Sequence, residues 1–237
     1  MNERAWNTLR PIEIIPNYLE HPEGSCLISC GNTKVLCTAT IETRVPKWMH
    51  GQGKGWITAE YDMLPRATNT RTTRDARKGK VKGRTQEISR LIGRALRSVA
   101  SLDALGELNV VLDCDVIQAD GGTRTTSITG AYVALASALQ NHFGSQSTVQ
   151  QILKDQVVAL SVGLVQDEIR VDLDYALDSA AQVDMNIVMT GQGQLIEVQG
   201  TGEESTFSHA QLNTMLESAF KAAPLLCEAQ KQALGWT

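Results

Sequence analysis

Three groups of residues in this 237-residue chain have the types and spacing to do chemistry. The first is Asp120-Gly121-Gly122-Thr123-Arg124-Thr125, which follows a predicted strand and precedes a predicted helix. Two glycines let the backbone approach an anion closely, and the helix start turns free amides outward. Arg124 adds a fixed planar cation, so the loop suits a phosphate. Taken alone, the same residues also make a plain Gly-Gly turn with a surface arginine. The second group is Gly83-Arg84-Thr85, at the entry of a basic helix. It reads either as another face of one anion site or as a solvated arginine. The third group is acidic: Asp172, Asp174, Asp178 and Asp184. Asp172 and Asp174 fall on one face of a predicted strand, a pattern that also suits simple solvation. Asp178 and Asp184 flank the small-residue bend Ser179-Ala180-Ala181, and there they can share a divalent metal or a proton.

Arginines that hold phosphate and carboxylates that hold a metal are complementary needs of one reaction, the attack of an anionic phosphate on an anionic diester. At about 4 Å two such charges repel by about 4 kcal/mol at an effective dielectric of 20, which guanidinium and metal together offset. No covalent nucleophile is required. Neither G-x-x-x-x-G-K-[ST] nor G-x-G-x-x-G occurs, so the loop is not a Walker or dinucleotide fingerprint.

The elements that must position these groups follow from periodicity and punctuation. Predicted strands at 25–29 and 35–41 flank the Gly31-Asn32 turn, and another strand follows at 56–63. Residues 66–83 read as a long basic loop. In 85–100 the apolar residues Ile88, Leu91, Ile92, Leu96 and Val99 recur at helical spacing, with Arg90, Arg94 and Arg97 on another face. A strand at 108–117 enters the glycine loop, and a small-residue helix is predicted from 127 to 143. Further strands are predicted at 157–165, 169–175, 185–190 and 195–198. Ser208 and Gln211 form a capping box that opens a helix with Leu212, Met215, Leu216 and Phe220 inward. Pro224 suits the first turn of a separate last helix.

Composition bounds the rest. With 42% hydrophobic and 20% charged residues the chain is ordinary globular protein, read as one domain over residues 1–237. It lacks the roughly 18 unbroken apolar residues of a membrane helix and the apolar core of a signal peptide, so a cytoplasmic location without membrane contact is expected. Five cysteines without a C-x-x-C pair read as buried thiols. Four scattered histidines give no support to metal binding through imidazole. The net charge of −4 conceals an asymmetry: residues 66–97 hold eleven of the 22 Lys and Arg, against only Asp75 and Glu87. That cationic stretch suits a nucleic-acid backbone bound in a salt-sensitive way, while an aromatic content of 5% limits base stacking.

Gly83-Arg84-Thr85-Gln86-Glu87-Ile88, Gly121-Gly122-Thr123-Arg124-Thr125 and Asp178-x5-Asp184-Met185-Asn186 occur in order, with Leu9-Arg10-Pro11, Glu23-Gly24-Ser25, Thr33 to Cys37 and Gly55 to Arg66 around them. In these residues the chain resembles, nearly end to end, the ribonuclease PH family of phosphorolytic 3′-to-5′ exoribonucleases. The resemblance implies an α/β (α+β) fold like the second domain of ribosomal protein S5, with mixed, largely antiparallel sheets and packed helices. It implies trimming of the 3′ ends of tRNA precursors and other RNAs, with inorganic phosphate as co-substrate and nucleoside diphosphates released reversibly. It also implies a homohexamer built as a trimer of dimers. Carried over residue by residue, Arg84, Gly122, Thr123 and Arg124 are expected to bind phosphate, and Asp178 and Asp184 to be the catalytic pair that holds Mg²⁺ or Mn²⁺. Arg66, Arg71, Arg74, Arg77 and Arg90 are expected to serve RNA capture, the basic segment otherwise serving ring assembly. The departures are Asn7-Thr8 where the family usually has an acidic pair, and Leu177 where an acidic residue commonly precedes Asp178. A non-catalytic ring subunit and a metal-dependent hydrolase are the alternatives.

Overall fold

A computed structural model describes residues 4–74, 79, 81–202 and 205–236. The chain begins with β1 (Ile12–Pro16), β2 (Gly24–Cys30), β3 (Thr33–Glu42) and β4 (Trp56–Met63), then α1 (Gly83–Val99), α2 (Leu102–Leu105), β5 (Asn109–Gln118) and α3 (Thr123–Phe143). It continues through α4 (Gln146–Ile152), β6 (Val157–Val165), β7 (Glu168–Val171), α5 (Tyr175–Ala180), β8 (Val183–Thr190), β9 (Leu195–Gly202) and α6 (His209–Leu234).

Two sheets result. The first has the order β1-β2-β3-β5-β4 and the second β7-β6-β8-β9. Every pairing is antiparallel except β4 with β5, the two strands that α1 connects. The expected mixed, largely antiparallel α/β architecture is therefore present. The Gly31-Asn32 turn closes the β2–β3 hairpin, with Cys30 opposite Thr33.

α3 lies between the sheets, and its composition follows from that position. It is buried almost throughout its first five turns, where Gly130, Ala131, Ala134, Ala136 and Ala138 keep it slim. A Cβ on Gly24 of β2 would meet Ala134 and Ala138 of α3, so strand and helix touch backbone to backbone. β6 is buried along all nine residues, as a strand covered on both faces must be. Its odd positions Val157 and Ala159 join the core around α3. Its even positions Val158, Leu160 and Val162 join a second core with Met185, Ile187 and Met189 of β8 and with α6. Alternation along β8 therefore sends Asp184, Asn186 and Val188 to the other face, toward α3. All five cysteines are buried. Among the described residues no helix is long and apolar enough to cross a membrane.

Four local expectations change. α3 begins at Thr123 rather than at residue 127, because left-handed Gly122 (φ 63°) serves as its N-cap. The strand predicted over 169–175 ends at Val171; Asp172 has φ 57°, and Asp174 caps α5, which Tyr175 opens. Pro224 lies inside one continuous helix rather than at the start of another. Met215, Ala219, Ala222, Ala223 and Leu226 bury one face of α6 on both sides of it, and that shared packing holds the helix across a missing hydrogen bond. Phe220, expected inward, is more than a third exposed.

Candidate active site

The first turns of α1 and α3 reach the same cleft, of about 410 Å³. Arg84 enters from α1, and Gly121, Gly122, Thr123 and Arg124 from the glycine loop. Asp178 enters from α5 and Asp184 from β8, with Ser161 of β6 and Asn186 of β8 beside them. Residues that spacing alone left as three weak candidates thus share one wall-to-wall site.

The glycine-loop side of the cleft is built by a helix start without a side-chain cap. The Thr125 and Thr126 hydroxyls donate to the Gly122 carbonyl, each at 2.9 Å, while no side chain caps the first amides of α3. The Tyr61 hydroxyl, buried under the cleft, donates to Thr123 Oγ1 at 2.9 Å. That bond occupies an acceptor position of Thr123 and leaves its own proton for an acceptor in the cleft. Burial pushes the Tyr61 phenol up, so it stays a donor. Arg124 Nη1 donates to Gln199 Oε1 at 2.8 Å and lies 3.6 Å from the Glu87 carboxylate, which accepts from Gln199 Nε2 at 2.8 Å. One guanidinium is thereby oriented by α1, α3 and β9 together. Arg84 is exposed on the first turn of α1, facing the same space.

Beneath the loop lies a buried ion pair. Arg10, 7% exposed, donates through Nη2 to Asp172 Oδ1 at 2.7 Å and through Nε to Oδ2 at 2.9 Å. Its backbone amide adds a third bond at 2.7 Å, and Arg4 a fourth at 3.2 Å. Arg10 also donates to the Asp120 carbonyl. Burial alone would raise the Asp172 carboxyl, but the Arg10 hydrogen bonds and charge outweigh it and hold the group below the usual carboxylate range. The expected solvated pair is thus corrected: Asp172 is a buried anchor of the glycine loop, and Asp174 caps α5 by accepting from Leu177 N at 2.9 Å. A Cβ on Gly121 would run into the Leu173 carbonyl and Asp174, so this position admits only glycine.

Thr33, fully buried on β3, completes the cradle. Its hydroxyl accepts from Asp120 N at 2.9 Å and donates to Gly121 O at 2.6 Å. Thr33→Val leaves both backbone groups without that partner. Under the phosphate-dependent RNA trimming that the resemblance implies, the KM for inorganic phosphate is expected to rise about tenfold, the equivalent of roughly 1.4 kcal/mol, with the KM for RNA within about twofold. Thr33→Ser, which keeps the hydroxyl, should restore it. Steady-state kinetics at varied phosphate decides, and equal phosphate KM values in the two variants would refute the positioning role.

The predicted RNA contacts do not converge in the same way. Arg66 lines an adjoining concavity of about 780 Å³, which shares Thr68, Ala119 and Tyr175 with the cleft. Arg71 and Arg74 are exposed, and Arg74 is close enough to Asp115 to favour its ionised form against burial and Asp62. Arg77 lies outside the described residues. Arg90 is exposed on α1. Its neighbours on that helix are occupied: Arg94 pairs with Glu197 at 2.8 Å, and Arg97 stacks on Trp56 at 4.3 Å and donates to Ile57 O. Tyr61, Ser161 and Gln199 were not singled out by sequence, because each comes from a separate strand with no local signal. Asn186 had one, its place two residues beyond Asp184 on the same strand face.

Two arginines, the uncapped start of α3 and two carboxylates thus share one cleft of this two-sheet fold. The chain belongs to the 3′ exoribonuclease family: the model of the family's domain 1 matches residues 8–139 and that of its domain 2 matches residues 155–222. Ribonuclease PH of Bacillus cereus (strain G9842) is 60% identical over 233 residues, covering 98% of this chain and 95% of the relative. Ribonuclease PH of Bacillus mycoides (strain KBAB4) is 60% identical over 228 residues, covering 96% and 93%. Among solved structures, Rrp46 of rice (Oryza sativa) superposes with a TM-score of 0.79 at 19% identity, covering 98% of both chains. A chain of the Archaeoglobus fulgidus exosome with RNA bound to the active site superposes with a TM-score of 0.79 at 20% identity, covering 95% of this chain and 90% of that one. At such identity these two likenesses speak for the fold.

Proposed function

We propose that this chain is a phosphate-dependent 3′-to-5′ exoribonuclease whose cleft joins a phosphate site to a carboxylate pair. The observation that carries the reading is the convergence of Arg84, Thr123 and Arg124 with Asp178 and Asp184 in one cleft. Inorganic phosphate sits against the first turn of α3, its charge met by Arg84 and Arg124 and one oxygen bonded by the Thr123 hydroxyl. A phosphate oxygen attacks the phosphorus of the terminal diester. The new P–O bond makes a nucleoside 5′-diphosphate, and the bond to the 3′-oxygen of the preceding nucleotide breaks. Attacking hydrogen phosphate carries the proton that the leaving 3′-oxygen needs, and we assign its relay to Asp184.

The donor set fits a hard divalent cation such as Mg²⁺ or Mn²⁺. Asp178 and Asp184 offer two carboxylates to the cleft, and such an ion would take its other ligands from substrate phosphates and water. Such an ion, when bound, supplies charge neutralisation at the scissile phosphate. The two family segments act as one catalytic domain in this reading, since the phosphate loop comes from the first and the carboxylates from the second. The exposed arginines 66, 71, 74 and 90 guide tRNA precursors and other RNA 3′ ends. A homohexamer in the cytoplasm completes the reading, supported by the family to which the chain belongs.

The test is the decay of a labelled single-stranded RNA with Mg²⁺, with and without inorganic phosphate. Decay that requires phosphate and releases nucleoside diphosphates is expected. Monophosphates released without phosphate would mean hydrolysis, and no decay in either condition would mean a non-catalytic subunit.

A further inference from the structure

The concavity beside the cleft has the lining of a nucleobase pocket. It is walled by Arg66 to Thr70 and Thr72, at the start of the basic segment, and by Asn32, Gln118 and Asp120. Apart from Arg66 and Asp120 the polar groups are uncharged amides and hydroxyls, which can serve any base as donor or acceptor. The Asp120 carboxylate is already engaged, accepting from Asn32 Nδ2 at 3.1 Å and from Tyr175 N at 3.3 Å.

Tyr175 stands where the two depressions meet. It lines both, and among the described residues no other aromatic lines either. Its side chain is 60% exposed, although a phenol ring gains by covering its faces. Its backbone is held: Asp174 caps α5, and Asp120 takes the Tyr175 amide. Three residues on, along the same side of α5, Asp178 also lines the cleft. A ring fixed on the ridge beside a catalytic carboxylate is a platform for a base adjacent to the scissile bond, and stacking tolerates every base because each has a π-face.

We propose that this concavity is a nucleobase subsite in which Tyr175 stacks on the base of the nucleotide just 5′ of the scissile phosphodiester. The inference rests on the exoribonuclease reading above and names a contact which that reading leaves open. The side of the bond follows from the walls: Arg66 lines the concavity, whereas Arg84, Arg124, Asp178 and Asp184 line the cleft, so the strand that remains after cleavage crosses the concavity toward Arg66 while the departing nucleotide stays in the cleft.

The experiment measures binding of single-stranded RNAs by fluorescence anisotropy in Mg²⁺ without phosphate, so it needs no turnover. The RNAs are unmodified, abasic at the penultimate position or abasic at the 3′-terminal position. Tyr175→Ala should weaken the unmodified RNA about tenfold, add less than about twofold on the penultimate-abasic RNA, and cost about tenfold again on the terminal-abasic RNA. Tyr175→Phe should bind within about twofold of wild type, since the ring is retained. A Tyr175→Ala effect under twofold on unmodified RNA would overturn the subsite. So would an equal loss on all three RNAs, which marks a structural role, or a loss cancelled only by the terminal abasic site. Phosphate-dependent decay by the wild type, run in parallel, reports on the exoribonuclease reading separately.

Discussion

Arg124→Ala and Asp184→Asn are each expected to slow phosphorolysis by about 100- to 1,000-fold, because in the proposed mechanism Arg124 meets the phosphate charge and Asp184 holds the metal and relays the proton. The two variants should lose it differently. Arg124 is held on the phosphate side by Gln199 and Glu87, so its loss raises the KM for inorganic phosphate as well as lowering kcat. Asp184 lies across the cleft on β8, and Asp184→Asn keeps the shape while removing the charge. Its loss falls on kcat, with the phosphate KM little changed. Gel-resolved decay of a labelled RNA at saturating and limiting phosphate separates the two. Activity within a few-fold of wild type in either variant would remove that residue from the assignment.

The second large effect is on stability. Asp172→Asn leaves the Arg10 guanidinium buried, with its fork facing a neutral amide, and breaking a buried pair in this way costs about 3–5 kcal/mol. Urea unfolding at pH 7 should show it directly. The pH dependence carries a sign. The folded-state pKa of Asp172 is depressed, so the stabilisation is fully present above the unfolded carboxylate value of about 3.9 and is lost as pH falls through the folded value. The deficit of the Asn variant should therefore shrink as the medium is acidified below that range. A deficit below about 1 kcal/mol at neutral pH would show that the pair is not the anchor described here.

Most of the fold's elements were legible because their signals are local. Helical spacing from Ile88 to Val99 marks α1, the Gly31-Asn32 turn sets the first hairpin, and the Ser208–Gln211 capping box opens α6 as expected. Two of the misreadings share one cause, tertiary contact overriding a local rule. Pro224 reads as a helix start, yet one face of α6 packs on the second sheet both before and after it. Asp172 reads as solvated by its strand alternation, yet it closes an ion pair 162 residues away in sequence.

The candidate site divides in the same way. Arg84, Gly122 to Arg124, Asp178 and Asp184 stand in short segments whose residue types announce anion or cation chemistry, and the sequence by itself determined which groups were available. It also marked the elements that carry them, except α5, which bears Asp178 and reads from the sequence as a strand end and a small-residue bend. Only the tertiary structure decided that those groups meet, because α1, α3, α5 and β8 converge through strand order and helix burial rather than through any spacing along the chain. The supporting groups belong to that level too. Tyr61, Thr33, Ser161 and Gln199 acquire roles from the partners that folding brings to within about 3 Å, and a hydrogen bond has no meaning until both of its ends are in place.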